Sequence, residues 1–110
     1  MKAEPFQITA EEKYGESILY VKGELDLSVV PQLQAALENV MYREDTALVL
    51  NLRDLTYIDS TGIGIVVTIL KARDALKAPF YVREIPPSIR RLFDLTGITR
   101  FLKEGTEADA

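Results

Sequence analysis

The sequence predicts an α/β fold: a mixed, mostly parallel sheet with an N-terminal antiparallel hairpin, and helices packed on the sheet. Three observations carry this. Two alternating apolar segments open the chain with a turn between them, strand-length apolar runs then alternate with segments of helical period, and the connections are short. Phe6, Ile8 and Ala10 alternate over residues 6 to 12, and Leu19 and Val21 alternate against Ile18 and Tyr20 over residues 17 to 22. Lys13-Tyr14-Gly15-Glu16 is the turn of this hairpin. Ser28 stands where it would cap a first helix with Pro31 in its first turn, and Val30, Leu33, Leu37, Val40 and Met41 recur at helical spacing to about Tyr42. Ala47-Leu48-Val49-Leu50 is almost unbroken apolar sequence bracketed by charge, as expected of a central strand covered on both faces. A second helix is expected from Ser60 to about Leu76, a strand at Phe80-Tyr81-Val82-Arg83, and a third helix that opens at Pro86-Pro87 and stops at Gly97. The expected order is β-β-α-β-α-β-α, with right-handed crossovers between parallel strands.

At 110 residues the chain has the length of one domain, residues 1–110, with residues 1 to 4 and 104 to 110 expected to fray. Hydrophobic residues are 47% and charged residues 27%, the mix of a folding domain rather than a disordered one. Cysteine and histidine are both absent. That removes disulfides, thiolate nucleophiles, Cys- or His-ligated metals, a Ser-His-Asp relay and a phosphohistidine carrier. Thirteen basic against 17 acidic residues give a net charge of −4, which disfavours direct nucleic-acid binding and points to protein partners. No stretch approaches the length of a membrane span, so no membrane insertion is expected, and the N-terminus lacks the apolar centre of a signal peptide. The expected location is the cytoplasm.

The segment richest in chemistry runs from Leu52 to Gly64, where a strand feeds through Asp59-Ser60-Thr61 into the second helix. A helix N-terminus exposes unpaired N–H groups and a partial positive charge, which suits a phosphate. Ser60 there is a candidate phosphate acceptor. Helix capping by Asp59, Ser60 and Thr61 is the commoner role of such residues. Enzyme signatures do not fit: a G-x-G-x-x-G loop starting at Gly62 and Gly64 meets Val67 where the third glycine belongs, and a G-x-S-x-G elbow meets Ile58. No G-K-[ST] is present, and Asp54 and Asp59 lack a framed pocket, so the chain is not expected to be an enzyme or to carry a cofactor or metal.

On a helical wheel the second helix shows two apolar stripes. Ile63, Val66, Val67 and Leu70 form one; Ile65, Ile69, Ala72 and Leu76 form the other, roughly opposite. A helix on a sheet needs one, so the second is covered either by the first helix or by another protein. Gly62 and Gly64 leave room for close approach of a backbone, from a partner or from within the fold. Arg83, Arg90, Arg91 and Arg100 make either a basic patch or, more simply, a solvated face.

Three blocks of the sequence resemble the STAS-domain anti-sigma factor antagonists: Gly23-Glu24-Leu25-Asp26; Leu50-Asn51-Leu52 through Tyr57-Ile58-Asp59-Ser60-Thr61-Gly62-Ile63-Gly64; and Ile89-Arg90-Arg91-Leu92-Phe93-Asp94-Leu95-Thr96-Gly97-Ile98. Pro86 departs from the pattern, since a serine often caps the third helix there, so a looser start to that helix is expected. The resemblance implies phosphorylation of Ser60, with Thr61 as the alternative, by an ATP-dependent serine kinase that is also the anti-sigma factor, and reversal by a phosphatase. It implies that the unphosphorylated form binds the anti-sigma factor and frees the sigma factor. Asp26 matches a position near the acceptor and Asp59 the one before it. The expected partner face therefore comprises Asp26, Asp59, Ser60, Thr61, Gly62, Gly64, Ile65 and Ile69. A STAS-type accessory subunit of a membrane lipid transporter, binding the ATPase subunit, is the alternative.

Overall fold

The computed structural model describes residues 5–104, so the expected fraying of residues 1 to 4 and of the last six lies outside the described residues. The hairpin forms as β1 (Gln7–Lys13) and β2 (Glu16–Leu25), antiparallel, with Gln7 opposite Lys22 and Lys13 opposite Glu16. A single 3-10 turn (Leu27–Val29) precedes α1 (Val30–Glu38), followed by β3 (Ala47–Asn51), β4 (Leu55–Ile58), α2 (Ser60–Ala75), β5 (Phe80–Arg83) and α3 (Pro87–Thr96), with a last 3-10 turn at Ile98–Phe101. The main sheet has the order β1-β2-β3-β5, and β2, β3 and β5 are parallel. This is the expected mixed sheet.

β4 is the element the sequence reading lacks, which makes the order β-β-α-β-β-α-β-α. It pairs in parallel with the end of β2, Leu25 standing opposite Ile58, across a register shift at Gly23–Glu24. Its burial pattern explains the omission: Leu55 and Ile58 are buried while Thr56 and Tyr57 are exposed, so two inward residues are separated by two outward ones instead of alternating.

Two helix boundaries also differ. Ser28 does not cap α1: Asp26 caps the preceding 3-10 turn, accepting hydrogen bonds from the Ser28 amide at 3.0 Å and hydroxyl at 2.6 Å, and α1 itself starts after Val29 with no side-chain cap. α1 stops at Glu38 rather than Tyr42 because the amides of Val40 and Met41 both turn onto the Leu37 carbonyl, tightening and ending the ladder. α3 begins as expected. Its N-cap, Pro86, makes no side-chain hydrogen bond, and Gly97, at φ 80°, ends it in the left-handed conformation.

The helices share one core. Leu33 and Leu37 of α1, Val66 and Ile69 of α2, and Ile89 and Phe93 of α3 pack with Leu19, Val21, Leu48, Leu50, Phe80 and Val82 of the sheet. By alternation Ile18 and Val49 point to the opposite face, where they are buried nonetheless. On that same face Arg83 grips both carboxylate oxygens of Glu16, at 2.8 and 2.6 Å, and lies 5.4 Å from the Tyr81 ring centroid. β3 is thus buried on both faces, from Leu48 to Asn51.

Arg73 is a core residue that pattern reading missed. Only 1% exposed, it donates from its guanidinium to the carbonyls of Met41, Arg43, Thr46 and Pro79 at 2.6 to 3.0 Å, pinning the connection from α1 to β3 and the one from α2 to β5. Burial pulls its pKa below the ordinary arginine value.

Candidate functional site

The site forms where two parallel strand ends meet the start of a helix. Leu25 and Ile58 are register partners, so the residues that follow them, Asp26 and Asp59, leave the sheet side by side. The Asp59 amide donates to the Leu25 carbonyl at 3.3 Å and ties the two exits together. Asp59, extended at φ −105° and ψ −176°, caps α2: its Oδ1 accepts from the Gly62 amide at 3.0 Å, while its carbonyl accepts from Ile63. The Ser60 and Thr61 amides, which have no intrahelical acceptor, are left at the positive end of a 16-residue helix.

Ser60 is the first residue of α2. Its side chain is exposed and enters no hydrogen bond with another described residue. Thr61, the alternative acceptor, is half-buried, as is Asp59. Capping and accessibility therefore fall on different residues: Asp59 holds the helix end, and Ser60 does not.

The two glycines divide in the same way. A Cβ on Gly62 would stand 2.7 Å from Ile58 Cγ1, 2.9 Å from Leu25 Cγ and 3.0 Å from the Leu25 carbonyl oxygen. Gly62 is what lets α2 seat against the two strand ends, a packing role inside the fold. A Cβ on Gly64 would meet nothing within 4 Å, and the residue is exposed. The fold gives no reason for glycine at that position.

The helical-wheel reading of α2 requires correction. The buried line is Gly62, Val66, Ile69 and Arg73, passing between the two expected stripes and leaving Ile63, Ile65, Val67 and Leu70 half-buried beside it. Ile69, expected on the partner face, is 0% exposed and belongs to the core. Ile65 remains accessible beside Thr68, above a groove whose other wall is Leu37, Met41 and Tyr42. α1 thus covers the deep part of the second stripe. Of the four arginines weighed as a basic patch or a solvated face, Arg83 is engaged with Glu16 and Arg90 with Glu104, while Arg100 lies over the Phe101 ring.

Two exposed apolar residues border the site and were not singled out from the sequence. Leu27, next to Asp26, is 68% exposed, and Tyr57, two residues before Asp59, is 47% exposed. The signal was an apolar residue directly after an acidic turn, but a single apolar residue is ordinary on a surface. Among the described residues no group of three or more Asp, Glu, His or Cys is placed to hold a metal ion, and no helix is long and apolar enough to cross a membrane.

Comparison with known proteins agrees with this geometry. The family model described as STAS domain matches residues 7–109. The chain is 33% identical over 105 residues to an anti-sigma-B factor antagonist of Staphylococcus aureus, covering 94% of this chain and 95% of that one. A crystal structure of an anti-sigma factor antagonist from Mycobacterium paratuberculosis superposes with a TM-score of 0.79 at 26% identity, covering 96% of this chain and 90% of that one. SpoIIAA from Bacillus, at 22% identity and 96% of this chain, superposes in its unphosphorylated form (TM-score 0.73, 91% of that chain) and its phosphorylated form (0.68, 95%). The strand-end turn, the capped helix and these matches across almost the whole chain lead to one conclusion: this protein belongs to the STAS-domain family of anti-sigma factor antagonists.

Proposed function

We propose that this chain is a phosphorylation-switched binding module, not an enzyme, whose unmodified form docks on an anti-sigma factor that is also a serine kinase. Modification of Ser60 switches docking off, and a phosphatase restores it. The observation that carries the proposal is the Ser60 hydroxyl: exposed, without a hydrogen bond to another described residue, and seated at the first position of α2 while Asp59 does the capping. A kinase can reach such a group without opening the fold.

The charge change acts differently on the fold and on the interface. Phosphorylation adds about −1.5 to −2 of charge and three acceptor oxygens. At the start of α2 this charge meets the positive helix end and two open amides, so the folded state is favoured by roughly 0.3–1 kcal/mol or left unchanged. In the free chain water screens the dianion from Asp26 and Asp59; docking would strip that water, so desolvation and the strengthened like-charge repulsion both oppose the complex. A loss of about 3 kcal/mol is more than a hundredfold in affinity. No rearrangement of the backbone is needed.

Leu27 and Tyr57 supply apolar area around the acidic turn, Gly64 a bare helix surface, and Ile65 the edge of the groove against α1. We assign the docking face to Asp26, Leu27, Tyr57, Asp59, Ser60, Thr61, Gly64 and Ile65, with Gly62 and Ile69 supporting it from beneath. The direct test is incubation with the candidate anti-sigma kinase and ATP, followed by mapping of the phosphate. Label on Ser60 is expected; label confined to other residues contradicts the assignment.

A further inference from the structure

Beyond the strand-end site, α2 borders a second opening. Val67 and Leu70 form one wall of a cleft, and Ile98 and Phe101, in the turn that follows α3, form the other. Its volume is about 530 Å³. Sites that hold small molecules measure roughly 300–1,000 Å³ and are mainly apolar with a few placed polar groups, the composition found here. Phe101 keeps 55% of its surface exposed, so the chain's own core does not use this ring.

The polar groups of the cleft favour one sign. Lys71 and Arg100 line it, with Asp74 as the single carboxylate. Neither cation enters an ion pair with another described residue, and the Arg100 guanidinium is held 5.0 Å from the Phe101 ring centroid. A cation beside an apolar wall, with one more cation than carboxylate, complements a molecule that is apolar along its length and negative at one end. We infer that this cleft binds a small amphiphile with a single anionic head group, the head at Lys71 and Arg100 and the tail against Val67, Leu70, Ile98 and Phe101. Lys71 lies 11 residues along α2 from Ser60, about 16 Å at 1.5 Å per residue, so this site is separate from the switch.

The test is an NMR titration of the full chain with decanoate, decanol and decyltrimethylammonium. Decanoate is expected to shift the signals of Val67, Leu70, Ile98 and Phe101 saturably, with a Kd on the order of 0.1–1 mM. Decanol should bind several-fold more weakly and the ammonium compound more weakly still. The double variant Lys71→Ala/Arg100→Ala should weaken decanoate by roughly fivefold while leaving decanol unchanged, and Leu70→Trp, which fills the cleft, should weaken both. Ser60→Asp should bind decanoate like the unmodified chain, so failure of the switch and failure of this site are distinguishable. Scattered or non-saturable shifts, equal binding of the ammonium compound, or decanoate affinity unchanged in the double variant would overturn the inference. So would protection of the cleft signals by the kinase partner, which would make the surface a protein interface.

Discussion

Replacing each of the two glycines of α2 by alanine separates what the fold needs from what a partner needs. At Gly62 the added methyl would lie 2.7 Å from Ile58 Cγ1 and 3.0 Å from the Leu25 carbonyl oxygen, and the carbonyl belongs to backbone that cannot swing aside. Overpacking of this kind costs about 1–3 kcal/mol. At roughly 4–8 °C per kcal/mol for a domain near this size, Gly62→Ala should melt about 5–20 °C below the unmodified chain. At Gly64 the methyl meets nothing within 4 Å, and alanine exceeds glycine in helix propensity by about 0.5–1 kcal/mol. Gly64→Ala should therefore raise the melting temperature by a few degrees. If the bare surface at Gly64 serves close approach of a partner backbone, the same substitution should weaken binding of the anti-sigma factor by about tenfold, in the direction opposite to its effect on stability. Thermal melts by circular dichroism and a binding isotherm decide both points. A stable Gly64→Ala that binds the partner as tightly as the unmodified chain would refute the reasoning about that surface, and an unaltered melt for Gly62→Ala would refute the packing.

Other consequences concern the scaffold and the border of the site. Arg73→Met removes the donor shared by the four carbonyls of Met41, Arg43, Thr46 and Pro79, and should cost about 3–5 kcal/mol in urea unfolding; a loss under 1 kcal/mol would mean those carbonyls find water. The hydrogen bonds from Arg83 hold the Glu16 carboxylate below its usual pKa, so its contribution is complete above the unfolded value near 4.5 and disappears as pH falls through the lower folded value. Glu16→Gln should accordingly be less stable by about 2–4 kcal/mol at pH 7, with the difference shrinking below about pH 4; a difference independent of pH would contradict the ion-pair account. Leu27→Ala should leave the melting temperature within about 2 °C, because the side chain is 68% exposed, and should reduce partner affinity by about tenfold. Unchanged affinity would remove Leu27 from the docking face.

The sequence made some of this legible and hid the rest for identifiable reasons. The hairpin, β3, β5 and α3 follow from alternation, an apolar run and terminal glycine or proline, and each appears within a residue or so of its expected bounds, apart from the longer β2. β4 was hidden because a four-residue strand paired across a bulge does not alternate strictly. The orientation of α2 was hidden because this helix is apolar nearly all round, and its buried line runs through Gly62 and Arg73, residues that no hydrophobicity count assigns to a core. Ile69 was misplaced for that reason. The Asp59-Ser60 turn was visible from residue type alone, but which of the two capped the helix depended on backbone geometry: extended Asp59 accepts from Gly62, and the Ser60 side chain is left in solvent. Leu27 and Tyr57 became candidates only when pairing of Leu25 with Ile58 set their neighbours beside the turn.

The central claim is that one accessible hydroxyl controls docking without touching the architecture. Its most direct test is the affinity of Ser60→Asp, and of the chain phosphorylated at Ser60, for the anti-sigma kinase, measured together with their melting curves. Melts within about 3 °C of the unmodified chain are expected, with affinity lowered roughly a hundredfold or more by the phosphate and by less for aspartate. Tight binding by the phosphorylated chain, or loss of binding accompanied by unfolding, would contradict the claim.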